Sequence, residues 1–199
     1  MNYREKIEAY IRREALPVDK YGHQPRLYAL TKLVGADDTY DDDIVHAAVW
    51  LHDLGVFYGH RPTDLDELKA WDSVKYAMER SPALLTEFGF PVEKIDAVVE
   101  AIRTHQPSAA PSTTEGIILR DADILEQLGA IAILRTVSKV GRDTRFYRFT
   151  EAASNLRMMM ETLPVMIKLK TTRELAAPKI AALEAFLSAV EAESYGALE

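Results

Sequence analysis

The sequence predicts an all-α, single-domain helical bundle, and three observations predict it. Apolar residues recur at spacings of three and four through most of the chain, the signature of helices buried along one face. Nowhere does strand-like alternation run between hairpin turns. A chain of 199 residues, 48% hydrophobic, can bury one full core and is too apolar for disorder. One domain over residues 1–199 is expected, with no internal repeat and no low-complexity tract.

Helices are expected at roughly 2 to 15, 23 to 35, 41 to 54, 64 to 80, 92 to 105, 115 to 130, 131 to 140, 146 to 162 and 172 to 194. Gly22 and Pro25 mark the start of the second. Gly35 and the acidic stretch from Asp37 to Asp43 separate it from the third, whose first turn those aspartates favour through the helix dipole. Pro62, Pro82, Pro91, Pro107 and Pro111 punctuate the middle, and QPSAAPST from Gln106 to Thr113 is the most loop-like segment. The last helix holds AALEAFLSAV, an apolar face that packs internally or against another subunit.

Composition excludes several functions. There is no cysteine, so disulfides, thiolate metal sites and cysteine nucleophiles are absent, and any metal must be held by histidine and carboxylate. The polar start MNYREKIEAY and the lack of a long apolar run predict neither signal peptide nor membrane span, hence a cytoplasmic protein with no membrane partner. A net charge of −7 argues against stable nucleic-acid binding but leaves small anionic substrates open. No glycine-rich phosphate loop of the P-loop type occurs.

Only five histidines are available: His23, His46, His52, His60 and His105. The sharpest local signal is Leu51-His52-Asp53-Leu54-Gly55, where the apolar helix IVHAAVWL ends in an imidazole and a carboxylate followed by a glycine stop. Adjacent residues diverge by about 100° on a helix, so they share an ion only near the helix terminus or in a groove between helices.

The chain resembles the HD superfamily of phosphohydrolases, an all-α fold named for a His…His-Asp…Asp pattern. Gly22-His23-Gln24-Pro25-Arg26-Leu27 resembles its first-histidine helix and Leu119-Arg120-Asp121-Ala122-Asp123-Ile124-Leu125 its late-aspartate helix; the segment from Leu163 to Glu193 is similar to the closing helices of the small bacterial branch. The resemblance implies one divalent ion held by His23, His52, Asp53 and the late aspartate. Two nitrogens and two oxygens suit Mn, Fe, Co, Ni, Zn or Mg rather than Ca. A helical wheel places Asp121 with Ile118, Ala122, Leu125 and Leu128, and Asp123 with Leu119, Gln127 and Ala130, so periodicity alone would bury Asp121. The family pattern favours the aspartate after alanine, Asp123, and leaves Asp121 a supporting role such as orienting a ligand histidine.

Further side chains have a functional and a bland reading. His105 ends the helix DAVVEAIRTH, where relatives place a histidine near the site. His60, in VFYGHRPT, reads first as a surface loop residue, with proton donation or substrate contact as the alternative. His46 reads as a packed or surface histidine. Arg26, three residues after His23, could hold a phosphate oxygen or form a surface ion pair. Arg135, Lys139, Arg142, Arg145 and Arg148, opposed only by Asp143, form a basic run that reads first as a solvated face and otherwise as a polyphosphate attractor. Met158, Met159 and Met160 read as core and flank.

The resemblance therefore implies a metal-dependent phosphohydrolase acting on a phosphoester or phosphoanhydride, with a small phosphorylated substrate, first a nucleoside mono- or triphosphate. The ion would activate water and polarise the phosphoryl group, Arg26 would steady the substrate, and His105 or His60 would handle protons. The pattern departs from some branches, because Val56 stands where certain relatives carry a histidine and no glutamate follows Asp53 by three or four residues. The alternatives are a cyclic-nucleotide or other phosphodiester phosphodiesterase with a second metal, and a non-catalytic metal-stabilised binding or regulatory module with a closed coordination sphere.

Overall fold

The computed structural model describes residues 1–142 and 146–198, so Asp143 and Arg145 of the basic run lie outside the described residues. The described residues form helices joined by turns and loops, with two isolated bridges and no strand among them. No helix among them is long and apolar enough to cross a membrane. The chain packs as two compact units, Met1–Arg120 and Asp121–Glu199.

The first unit contains α1 (Tyr3–Glu14), α2 (His23–Val34), α3 (Asp42–Leu51), α4 (Leu65–Lys69), α5 (Ser73–Phe88) and α6 (Ile95–Arg103). Its centre is α3, whose residues from Ile44 to Leu51 are all buried, as a helix apolar on every side must be. It packs against α1, α2 and α6. Asp41 caps α3 by accepting from the Asp43 amide, and the acidic first turn is anchored from several directions. Arg4 of α1 bonds Asp42 at 2.9 Å and Asp43 at 2.6 Å. Lys94 bonds Asp41 at 2.7 Å and Asp43 at 2.9 Å, while the Tyr3 and Tyr28 hydroxyls donate to Asp43 and Asp42. Lys32 pairs with Asp42 as well. Burial alone would raise the Asp43 carboxyl, yet hydrogen bonds from Tyr3, Arg4 and Lys94 hold it far below the usual carboxylate range.

Two expectations are corrected. The helix expected over 64 to 80 is two, α4 and α5, separated by Ala70, Trp71 and Asp72, because Asp72 caps a new helix by accepting from the Lys75 amide. Pro82 does not end α5, which continues to Gly89 in the left-handed conformation (φ 79°). Burial of Ala77, Ser81, Leu84 and Leu85 along one side outweighs the hydrogen bond a mid-helix proline removes.

α7 (Thr114–Glu126) runs from the first unit into the second, which continues with α8 (Gly129–Val137), α9 (Phe149–Thr162) and α10 (Lys170–Ser194). The α7–α8 break falls at Gln127 and Leu128, and α8 opens at Gly129 (φ 79°), two residues earlier than expected, where positive φ favours glycine. α10 packs on α8 and α9 with Ala176, Leu183 and Leu187 buried, so its apolar face is an internal one. On α9 the buried positions are Ala152 and Leu156; Met158 is exposed, which places the methionine run at the flank and not in the core.

Candidate metal centre

Three helix ends of the first unit supply the chemistry. His23 is the first residue of α2, following the N-cap Gly22, and Pro25 sits in that first turn where its missing N–H costs nothing. His52 is the C-cap of α3 and Asp53 opens the 3-10 turn Leu54–Val56. His105 follows the C-cap of α6. Because α3 packs against both α2 and α6, a helix start and two helix ends meet.

His23 Nε2 and His52 Nε2 stand 3.3 Å apart, Asp53 Oδ2 is 3.7 Å from the first and Asp53 Oδ1 3.6 Å from the second. One ligand atom from each of the three lies within 4.8 Å of the others. Two nitrogens each about 2.1 Å from a common tetrahedral ion would be about 3.4 Å apart, so the observed 3.3 Å fits a shared cation and the carboxylate needs to close by only tenths of an ångström. His52 Nδ1 donates to the Val49 carbonyl at 2.8 Å, which assigns the proton to Nδ1 and leaves Nε2 with its lone pair toward His23. Both imidazoles are buried, whereas the Asp53 side chain keeps 26% of its surface exposed, so the cluster opens toward solvent on the carboxylate side.

His105 joins this group. Its ring meets that of His52 edge-on at 4.9 Å, and its Nδ1 donates to the Ile102 carbonyl at 2.6 Å, the same lock on the carbonyl three residues back that His52 uses. Its remaining nitrogen, Nε2, is therefore the one available for chemistry.

The other candidates lie in different surroundings. His60 meets the Tyr76 hydroxyl through Nδ1 at 2.9 Å and Glu14 through Nε2 at 3.0 Å, so both ring nitrogens are committed inside the protein. His46 is buried against Glu8, and burial lowers its pKa. The Arg26 guanidinium lies over Gly22, where a Cβ would stand 2.8 Å from Nη1, so Gly22 leaves room for the arginine beside His23. Within the second unit, Asp121 is fully buried and its carboxylate accepts from the Lys168 amide (3.2 and 3.1 Å) and the Leu169 amide (2.8 Å), holding the start of α10. Asp123 is half-buried and accepts from Gln127 Nε2 at 3.1 Å. Arg135 pairs with buried Glu126 at 2.9 Å, which gives one member of the basic run a structural task. Sequence reasoning missed Glu14, Trp71 and Tyr76; nothing in their spacing marks them, since only folding brings them to the loop after Asp53.

Comparison with known proteins follows the same lines. No curated protein matches the chain. A predicted HD superfamily hydrolase from an uncultured Thermotogales bacterium is 23% identical, with TM-score 0.65 over 96% of this chain and 93% of its own. Bacillus subtilis YpgQ, also solved in complex with ADP, is 22% identical in that complex, with TM-score 0.71 over 97% of this chain and 98% of its own. An HD-superfamily hydrolase from Bacillus thuringiensis is 17% identical, with TM-score 0.70 over 97% of each chain. These likenesses concern the fold. The HD domain model matches residues 21–128, a stretch that contains His23, His52, Asp53, His105 and Asp123, and the chain thus belongs to the HD domain family.

Proposed function

We propose that this protein is a metal-dependent phosphohydrolase acting on a phosphoester or phosphoanhydride of a nucleotide, with one divalent ion held by His23, His52, Asp53 and Asp123. The observation that carries the reading is the approach of His23 Nε2 and His52 Nε2 to 3.3 Å beside a half-exposed carboxylate. The fourth ligand, Asp123, rests on the sequence resemblance. A divalent ion in such a site supplies a water of lowered pKa and a positive charge for the phosphoryl oxygens.

The side chains do the rest. His52, locked on Val49, aims its Nε2 lone pair at the point that His23 Nε2 also faces. Arg26, beside His23, binds a phosphate oxygen. His105, with Nδ1 committed to Ile102, exchanges through Nε2 the proton that the leaving oxygen requires. Asp121 and His60, whose polar atoms are engaged within the protein, take supporting places and touch no substrate. The ADP complex of Bacillus subtilis YpgQ supports a nucleotide as the substrate class.

The experiment is hydrolysis of a panel of nucleoside mono-, di- and triphosphates and cyclic nucleotides with Mn²⁺ or Mg²⁺, wild type beside Asp53→Ala, with the bound metal counted by elemental analysis. Turnover by wild type, a loss of at least about a hundredfold in the variant, and one ion per chain are expected. Equal turnover by both proteins overturns the metal mechanism, and two ions with hydrolysis of cyclic nucleotides overturns the substrate class.

A further inference from the structure

Of the three clustered residues, Asp53 is the one whose backbone lies beyond both α2 and the cap of α3. His23 sits in a helix and His52 is locked onto Val49, but Asp53 begins a 3-10 turn of three residues held by two backbone bonds, Val56 N to Asp53 O and Phe57 N to Leu54 O. So short a turn does not set its own orientation. Its neighbours do. The Trp71 indole N–H donates to the Gly55 carbonyl at 2.8 Å. The Trp71 ring packs at 5.3 Å against Tyr76, whose hydroxyl meets His60 Nδ1, while His60 Nε2 meets Glu14 at the end of α1. Burial alone would raise the Glu14 carboxyl, but hydrogen bonds from Arg13 and His60 hold it below its ordinary value. The Tyr58 amide donates to the Leu16 carbonyl at 3.0 Å and ties the same loop to the segment after α1. The turn, the loop after it, the start of α5 and the end of α1 are thereby linked in one continuous clasp.

We propose that Trp71, Tyr76 and His60 are positioning residues that hold the Asp53 turn at ligating distance from His23 and His52, so that divalent-ion affinity depends on side chains that do not touch the ion. This rests on the reading of His23, His52 and Asp53 as a metal centre. It also gives His60 a task that a solvent-facing loop histidine would not have.

Trp71→Phe keeps an aromatic ring and removes the N–H donor together with the pyrrole half of the indole. Mn²⁺ binding is measured by titration calorimetry on folded wild type and variant, together with amide hydrogen exchange of residues 54–57 without metal. The expected result is a dissociation constant weakened about tenfold or more, the range typical of lost outer-shell partners, and faster exchange confined to the turn, with the far-UV spectrum unchanged. Tyr76→Phe, which removes one hydroxyl, is expected to move both readouts the same way by a smaller factor, and it carries the test should Trp71→Phe not fold. Mn²⁺ affinity and exchange equal to wild type overturn the positioning role alone. A wild-type protein that takes up no Mn²⁺ overturns the metal centre and this proposal with it.

Discussion

Replacing Gly55 by alanine probes how tightly the Asp53 turn is packed. An alanine Cβ there would stand 2.5 Å from the Ser73 carbonyl oxygen, 2.7 Å from its Cα and 3.0 Å from its carbonyl carbon. Ordinary contact begins at 3.4 Å, so the turn and the first residue of α5 must part by roughly 0.9 Å, the difference between 3.4 and 2.5 Å. Both sides are backbone and cannot yield as a flexible side chain would. Overpacking of this kind costs about 1–3 kcal/mol, and strain on the Trp71–Gly55 hydrogen bond adds about 1 kcal/mol. For a chain of this size the total of about 3 kcal/mol lowers the melting temperature by about 6–12 °C. Differential scanning calorimetry reads that shift, and Mn²⁺ titration of the folded variant reads the displacement of Asp53 as weaker binding. The control is Gly89→Ala, at φ 79° with nothing within 4 Å of its Cβ, expected to cost about 1–2 kcal/mol through backbone strain and to leave Mn²⁺ affinity alone. A Gly55→Ala protein melting within about 2 °C of wild type would refute the close approach and the packing argument built on it.

The remaining predictions concern acid stability, metal linkage and the late aspartates. Asp42 and Asp43 have folded pKa values depressed below their unfolded ones, so their contribution is present above about pH 4 and is lost as the pH falls further. Melting temperature should therefore drop more steeply below about pH 4 in wild type than in Asp43→Asn, and parallel curves would contradict this. Mn²⁺ at a hundred times its dissociation constant should stabilise the wild type by about 2.7 kcal/mol, seen as a rise of about 5–10 °C, and His52→Gln should show no rise. Asp121→Ala, which strips the carboxylate from the Lys168 and Leu169 amides, should cost about 3 kcal/mol while retaining Mn²⁺ binding at low temperature. Loss of the ion in Asp121→Ala with its retention in Asp123→Ala would reverse the assignment of the late ligand.

Much of the first unit was legible from periodicity, and the reasons are local. The run from Ile44 to Leu51 is apolar on every side, so a central buried helix was readable from it alone, as was its end at His52, Asp53 and Gly55. The aspartates before it announced a helix start, although not that Arg4, Lys32 and Lys94 would anchor them, because which cations reach them depends on how separate elements pack. The split between α4 and α5 was missed because the cap at Asp72 is a weak signal inside a segment of helical composition, and Pro82 misled because its local cost is outweighed by burial along α5. For His60, spacing favoured a surface loop residue over a proton donor or substrate contact; Glu14 and Tyr76, 46 and 16 residues away, give both its nitrogens partners.

By itself the amino-acid order determined that the chain is helical, that only histidine and carboxylate could hold a metal, and that an imidazole and a carboxylate stand together at the end of its most apolar helix. Those are properties of residue type and of neighbours one to four positions apart, which the regular geometry of a helix converts directly into faces and ends. Only the tertiary structure decided that His23 Nε2 comes to 3.3 Å from His52, that His105 lies edge-on beside it, and that Trp71 bonds the turn carrying Asp53. Such distances follow from how packed helices cross, which depends on the volumes of many buried side chains at once and leaves no periodic trace in any short stretch of sequence.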